Sequence, residues 1–272
     1  PTVPAQKIIY DISEYGVFVG GILELLTCLF ICICCLFKKS RELRTGFYTI
    51  LSIGFWIDSV WTIVYFIYKF FPVDPKMLIF AMDIQMFAVL VTGPWIFVLG
   101  INRYVAMVLP QKYSTHFNFK RTSVYGIVIF AVGVFYVGSR HANIDEYFLI
   151  KLGQNLTIVF CLVAFGYGLE AIRSQKKCEW RKQIEDRKFL YLTLTITVFQ
   201  LIANISSAYV ITWQDIKKWE DWQLTYFFTG INAAICGAQY SGVVLFFLFS
   251  QPAKDMVYRI IHCQEPLRNR IR

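Results

Sequence analysis

Four ionisable side chains sit within long apolar stretches of the sequence: Glu24, Asp58, Asp83 and Arg103. Such groups are costly in hydrocarbon, so each should face a protein interior or water, and each marks a functional position by default. Asp58 can fix helix packing through hydrogen bonds. Asp83 can contact a cationic ligand or sit solvated at an interface, and the partner of Glu24 is not legible. Pro94, between Gly93 and Trp95, removes a backbone donor from its helix. It marks either a hinge beside a ligand pocket of Asp83, Phe87, Leu90 and Trp95, or a static kink that serves packing.

Other chemistry is weakly supplied. His116, His141 and His262 are scattered through loops and tail, so no catalytic constellation forms and an enzyme is not expected. Cys28, Cys32 and Cys35 share a helix face beside Cys34. Zinc would need their thiolates, whose charge lipid disfavours, so they are expected to pack as small apolar residues. Neither a metal nor a cofactor is expected. Asn155-Leu156-Thr157 is a glycosylation acceptor near the end of a span, whereas Asn204-Ile205-Ser206 lies inside one. Cys263 is a palmitoylation candidate or a plain cytosolic thiol.

Only long helices can hold groups so placed. Of the 272 residues 57% are apolar, 18% aromatic and 17% charged, against about 25% charged in ordinary soluble domains. That balance excludes disorder and would force a soluble fold to expose large apolar patches. The net charge of +9 does not point to nucleic acid, because the basic residues lie in gaps between apolar blocks rather than on one face. About 20 largely apolar residues cross a bilayer. Seven such spans are predicted: Tyr15–Phe37, Phe47–Phe71, Met77–Tyr104, Thr122–Ser139, Leu152–Ile172, Phe189–Thr212 and Leu224–Ser250. The expected fold is therefore an all-α membrane protein, a seven-transmembrane helix bundle.

Residues 1–14 would form a short extracellular N-terminus, 15–250 the bundle and 251–272 a cytoplasmic tail. In the tail Met256, Val257, Ile260 and Ile261 face one way and Lys254 and Arg259 another, as in an amphipathic helix. Twenty of the 27 Lys and Arg fall after spans 1, 3 and 5 and in the tail. Cations accumulate on the cytoplasmic side, which predicts the N-terminus outside and the C-terminus inside. That orientation requires an odd number of spans.

Arg103 lies at the inner end of the third span in Asn102-Arg103-Tyr104, and Pro110 follows the arginine by seven positions. Here the sequence resembles a rhodopsin-like G-protein-coupled receptor. The extension Pro110-Gln111-Lys112-Tyr113-Ser114-Thr115-His116-Phe117 is similar to a Pro-x-x-Tyr-x-x-x-aromatic run of nematode serpentine chemoreceptors, the Srg superfamily and its class V members in particular. The resemblance implies that Asn102, Arg103, Tyr104 and Pro110 belong to a switch that engages a G protein. It also implies that Asp58 corresponds to a helix-2 aspartate that binds sodium.

Asn102 stands where the family carries an acid, so Glu185 or Asp186, at the start of the sixth span, is expected to supply the counter-charge. The sixth span has no proline, the seventh has no Asn-Pro-x-x-Tyr, and no cysteine lies in a predicted outer loop.

The expected function is chemosensory signalling, with a small-molecule ligand, a heterotrimeric G protein and the lipid bilayer as partners. The resemblance places it at the plasma membrane of a sensory neuron. A small polytopic transporter or ligand-gated channel is the alternative. A retinal-binding pump is excluded, because the seventh span has no lysine for a Schiff base.

Overall fold

The computed structural model describes residues 5–36, 46–70, 74–142, 145–175, 183–212 and 220–261. Among the described residues there are nine helices and no strand. They are α1 (Ala5–Leu36), α2 (Gly46–Phe70), α3 (Pro75–Val108), α4 (Pro110–His116), α5 (Phe119–His141), α6 (Glu146–Gln175), α7 (Gln183–Thr212), α8 (Asp221–Phe249) and α9 (Gln251–Ile261). Seven of them, all but α4 and α9, are long and apolar enough to cross a membrane. The chain is an all-α, multi-pass membrane protein built as a seven-helix bundle.

Local sequence fixes the helix starts. Asp74 accepts a hydrogen bond from Lys76 N at 3.0 Å, and Pro75 occupies the first turn of α3, where a missing N–H costs nothing. Asn118 caps α5 by accepting from Arg121 N at 2.9 Å. Glu220 and Gln223 form a reciprocal capping box at α8. The tail helix α9 is present, with Ala253 and Met256 buried against the bundle. Its cap is Ser250, whose hydroxyl accepts from Ala253 N at 3.2 Å and lies 3.0 Å from Tyr48 Oη of α2.

One boundary differs from expectation. α1 starts at Ala5, ten residues before the apolar run begins at Tyr15, so most of the segment expected as a tail is helical. Polar Lys7, Asp11 and Glu14 end the hydropathic signal without ending the helix, and Glu14 pairs with Lys69 at the end of α2.

Helix α3 runs through the middle, against α2, α5, α6 and α7, while α1 packs between α2 and α8. Alternating helix directions give the bundle two ends. The Glu14 end holds the starts of α1, α3, α6 and α8 and the ends of α2, α5 and α7. The Arg103 end holds the opposite termini. Small residues let the helices close on α3. A Cβ added at Gly100 would lie 2.9 Å from Ala164 Cβ, and one at Gly93 would lie 2.7 Å from Thr157 Cα. Thr157 Oγ1 donates to Val89 O at 2.9 Å, in the turn that Pro94 disturbs. A neighbouring helix thus supports the backbone there, and α3 continues unbroken through Pro94.

Candidate functional site

Two polar constellations lie in this apolar frame, one toward each end of α3. At the first, Arg103 is only 3% exposed. Its Nε donates to Asn102 Oδ1 at 3.0 Å, and its Nη2 donates both to the same oxygen and, at 3.3 Å, to Tyr113 Oη. Asn102 Nδ2 donates to that phenol as well, at 3.3 Å. The guanidinium carbon stands 4.0 Å from the ring centre of Phe47, 5.9 Å from that of Phe189 and 6.0 Å from that of Tyr113. Desolvated cation–aromatic contacts of this kind contribute about 2 kcal/mol or more.

Pro110 places Tyr113 in this cage. It begins α4 directly after α3 ends at Val108, and Tyr113 follows one turn later with its hydroxyl turned back to residues 102 and 103. Tyr104 points elsewhere, against Tyr167 of α6 at a ring separation of 5.1 Å. Asn102, which stands where an acid was expected, is itself an acceptor for Arg103. Glu185 and Asp186 sit in the first turn of α7, and their side chains lie outside the described residues.

The second constellation is a cavity of about 260 Å³ toward the Glu14 end, bordered by α1, α2, α3, α6, α7 and α8. Its polar wall includes Asp58, Gln85, Gln154, Gln200, Asn204 and Asn232. Phe18, Trp61, Phe66, Phe228 and Ile231 supply apolar wall. Glu14, Tyr65 and Lys69 stand at the side nearest the helix ends. Glu14 is buried and takes an ion pair from Lys69 and a hydrogen bond from Tyr65 Oη at 3.3 Å. The Lys69 ammonium lies 5.0 Å from the ring centre of Tyr10.

Removing one member of that pair should cost more than removing both. Lys69→Met strands a buried carboxylate, and because Lys69 is itself one-third exposed the loss should be about 1–3 kcal/mol. Lys69→Met with Glu14→Gln should recover most of the lost thermal midpoint of the purified protein. Equal midpoints in the single and double variants would show that Glu14 is not desolvated.

Asp83, Phe87, Leu90 and Trp95, expected together at one pocket, leave α3 in different directions. Asp83 pairs with Arg140 at 2.6 Å and His141 at 3.1 Å across to α5. Phe87 faces α5, where its ring meets Phe130 at 5.3 Å. Leu90 is buried beside Met86, Tyr136 and Leu149. Trp95, 1% exposed, donates from Nε1 to Ile50 O at 2.7 Å and lies against Gly54. Asp58 does line the cavity.

Asn155 is exposed on α6 but lies inside the apolar span Phe148–Ser174, about two turns from its start, so it is not in an accessible loop. Cys263 lies outside the described residues. Cys28 and Cys34 are buried, and Cys32 is exposed. Among the described residues no three histidine, cysteine or acidic side chains are placed to hold a metal ion.

The carboxamides around Asp58 were not singled out as a group from the sequence. Their signal was available, because Gln85, Gln154, Gln200, Asn204, Asn232 and Gln239 all interrupt apolar spans, where polar side chains are expensive.

No protein-family model matches the chain, and no curated protein matches it. Fold and composition define a multi-pass membrane protein with seven apolar helices.

Proposed function

We propose that the protein is a seven-helix receptor that passes the binding of an external small molecule to a cytoplasmic heterotrimeric G protein. In this reading the Glu14 end and the N-terminus are outside, and the Arg103 end and the C-terminus are inside. The excess of Lys and Arg after spans 1, 3 and 5 supports that orientation. The resemblance to nematode chemosensory receptors supports a plasma-membrane setting in a sensory neuron.

One observation carries the proposal. The central helix α3 contributes Gln85 and Thr92 to the cavity wall and Arg103 to the aromatic cage at its other end. A ligand that prefers one position of α3 therefore biases the cage, as a two-state switch requires. Between the two sites the bundle is filled by Leu51, Phe55, Trp95 and Phe246, all fully buried. That packed layer suits a relay better than a pathway for ions or solutes.

The test combines topology with coupling. Epitope tags at both ends should report opposite sides of the plasma membrane. Arg103→Ala should reach the surface yet lose G-protein activation by about tenfold or more, since hydrogen bonds to a charged group are at stake. Tags on one side, or unchanged coupling in Arg103→Ala, would overturn the receptor reading.

A further inference from the structure

The cavity is unbalanced in charge and in hydrogen bonding. Three charged side chains line it: Glu14, Asp58 and Lys69. Lys69 is taken by Glu14, which leaves the Asp58 carboxyl with no hydrogen bond or ion pair among the described residues. Asp83, the acid of the central helix α3, by contrast has Arg140 and His141.

Among the fully buried side-chain atoms that have no partner in the same region, acceptors outnumber donors. Gln154 is 6% exposed and Gln239 1% exposed; both line the cavity, and neither amide oxygen has a partner among the described residues. Glu24, 2% exposed and within electrostatic reach of Asp58, likewise has an unpartnered Oε2. Against these, among the described residues a single lining group, Trp61 Nε1, is a buried donor without a partner. Buried polar groups are ordinarily satisfied, so the missing component is rich in donors and carries positive charge.

We infer that the cavity binds a small primary amine with a compact apolar body, its ammonium on Asp58 and its body against the aromatic wall. An ammonium offers three donors and no acceptor, which is the complement of this wall. An anion would meet Asp58, and a zwitterion would find the one lining cation already paired. A bare metal ion would leave most of the space empty, since about 260 Å³ approaches the ~300–1,000 Å³ of small-molecule sites. The apolar wall of Phe18, Trp61, Phe66 and Phe228 accounts for the body of the ligand.

This inference rests on the receptor reading for its physiological meaning, but its test is binding alone. The purified full chain in lipid nanodiscs, in potassium buffer, is heated with butylamine, benzylamine and phenethylamine, each beside the alcohol and the carboxylate of the same shape. At least one amine should raise the unfolding midpoint and quench tryptophan emission, while its alcohol and carboxylate do neither. Asp58→Asn should weaken that amine by about ten- to hundredfold, and Gln154→Leu should weaken it less. Gln154→Leu serves as the reporter if Asp58→Asn does not fold.

Stabilisation by alcohols or carboxylates equal to that by amines would overturn the inference. So would stabilisation by sodium over potassium with no amine active, or amine binding indifferent to both substitutions. Amine binding by a protein that engages no G protein would remove the receptor reading and leave the amine site standing. A receptor driven only by neutral ligands would do the reverse.

Discussion

Gly54→Val should remove the folded protein from the membrane. A Cβ built on Gly54 would lie 1.9 Å from both Cε2 and Cζ2 of Trp95 and 2.5 Å from its Nε1. Neither partner has room to yield. Trp95 is fully buried, its indole nitrogen is held by Ile50 O at 2.7 Å, and Phe55, Ile96 and Leu99 fill the same core. Accommodating even a methyl group means expelling the indole. Overpacking alone costs about 1–3 kcal/mol. Losing the hydrogen bond and stranding its buried partners adds about 1–3 kcal/mol. Valine adds two further methyl groups to that overlap. Before those methyl groups are counted the total is about 2–6 kcal/mol, which already reaches the lower end of the ~5–15 kcal/mol that holds a typical protein folded.

The readout is the monodisperse fraction of detergent-extracted protein on size exclusion, which should be near zero for Gly54→Val and sharply reduced for Gly54→Ala. Gly138→Ala is the control, because nothing lies within 4 Å of its added Cβ. Adding Trp95→Phe, which shortens the ring at the point of overlap, should partly restore Gly54→Ala. A wild-type elution profile for Gly54→Val would show that α2 and α3 do not meet through this notch.

The same notch explains what the sequence concealed. Hydropathy was sufficient to place seven spans, because each crossing must be apolar over its length whatever its neighbours are. Which way a given aromatic points depends on where the adjacent helix has a gap. Trp95 was expected in a ligand pocket because it adjoins Pro94, yet Gly54, forty-one positions earlier, receives it instead. Phe87 is drawn to α5 in a similar way, with Gly133 close against its ring.

The polar residues were easier to read singly than in pairs. Asp83 and Arg140 both stand at the same end of their predicted spans, so their ion pair was accessible from topology alone. Glu14 was assigned to a tail, which hid its pairing with Lys69. Asp58 was recognised as a costly internal acid. The amide residues that make its surroundings a cavity come from four other helices, and only the three-dimensional packing brings them together.

On the proposed receptor reading, Asn102→Asp and Asn102→Leu should move ligand-independent signalling in opposite directions. In the structure Asn102 Oδ1 accepts from both Nε and Nη2 of Arg103, and its amide nitrogen steadies the Tyr113 hydroxyl that shares the guanidinium. If signalling requires Arg103 to leave this cage for a partner protein, every contact here favours the resting state. Aspartate keeps the geometry and makes the bonds charge-assisted, roughly doubling their strength. That should lower basal G-protein nucleotide exchange and right-shift the response to ligand.

Leucine keeps the volume but removes the acceptor. The lost hydrogen bonds to a charged group are worth about 1.5–3 kcal/mol, so the resting state should lose about ten- to hundredfold in population relative to the active one. Basal exchange in membranes containing equal amounts of the protein should rise accordingly. Phe47→Leu, which removes the ring 4.0 Å from the guanidinium while leaving an apolar side chain, should push the same way by a smaller factor. Any rise must depend on Arg103, so Asn102→Leu with Arg103→Ala should fall silent. Equal basal exchange in the aspartate and leucine variants would mean that the cage has the same strength in both states and takes no part in switching.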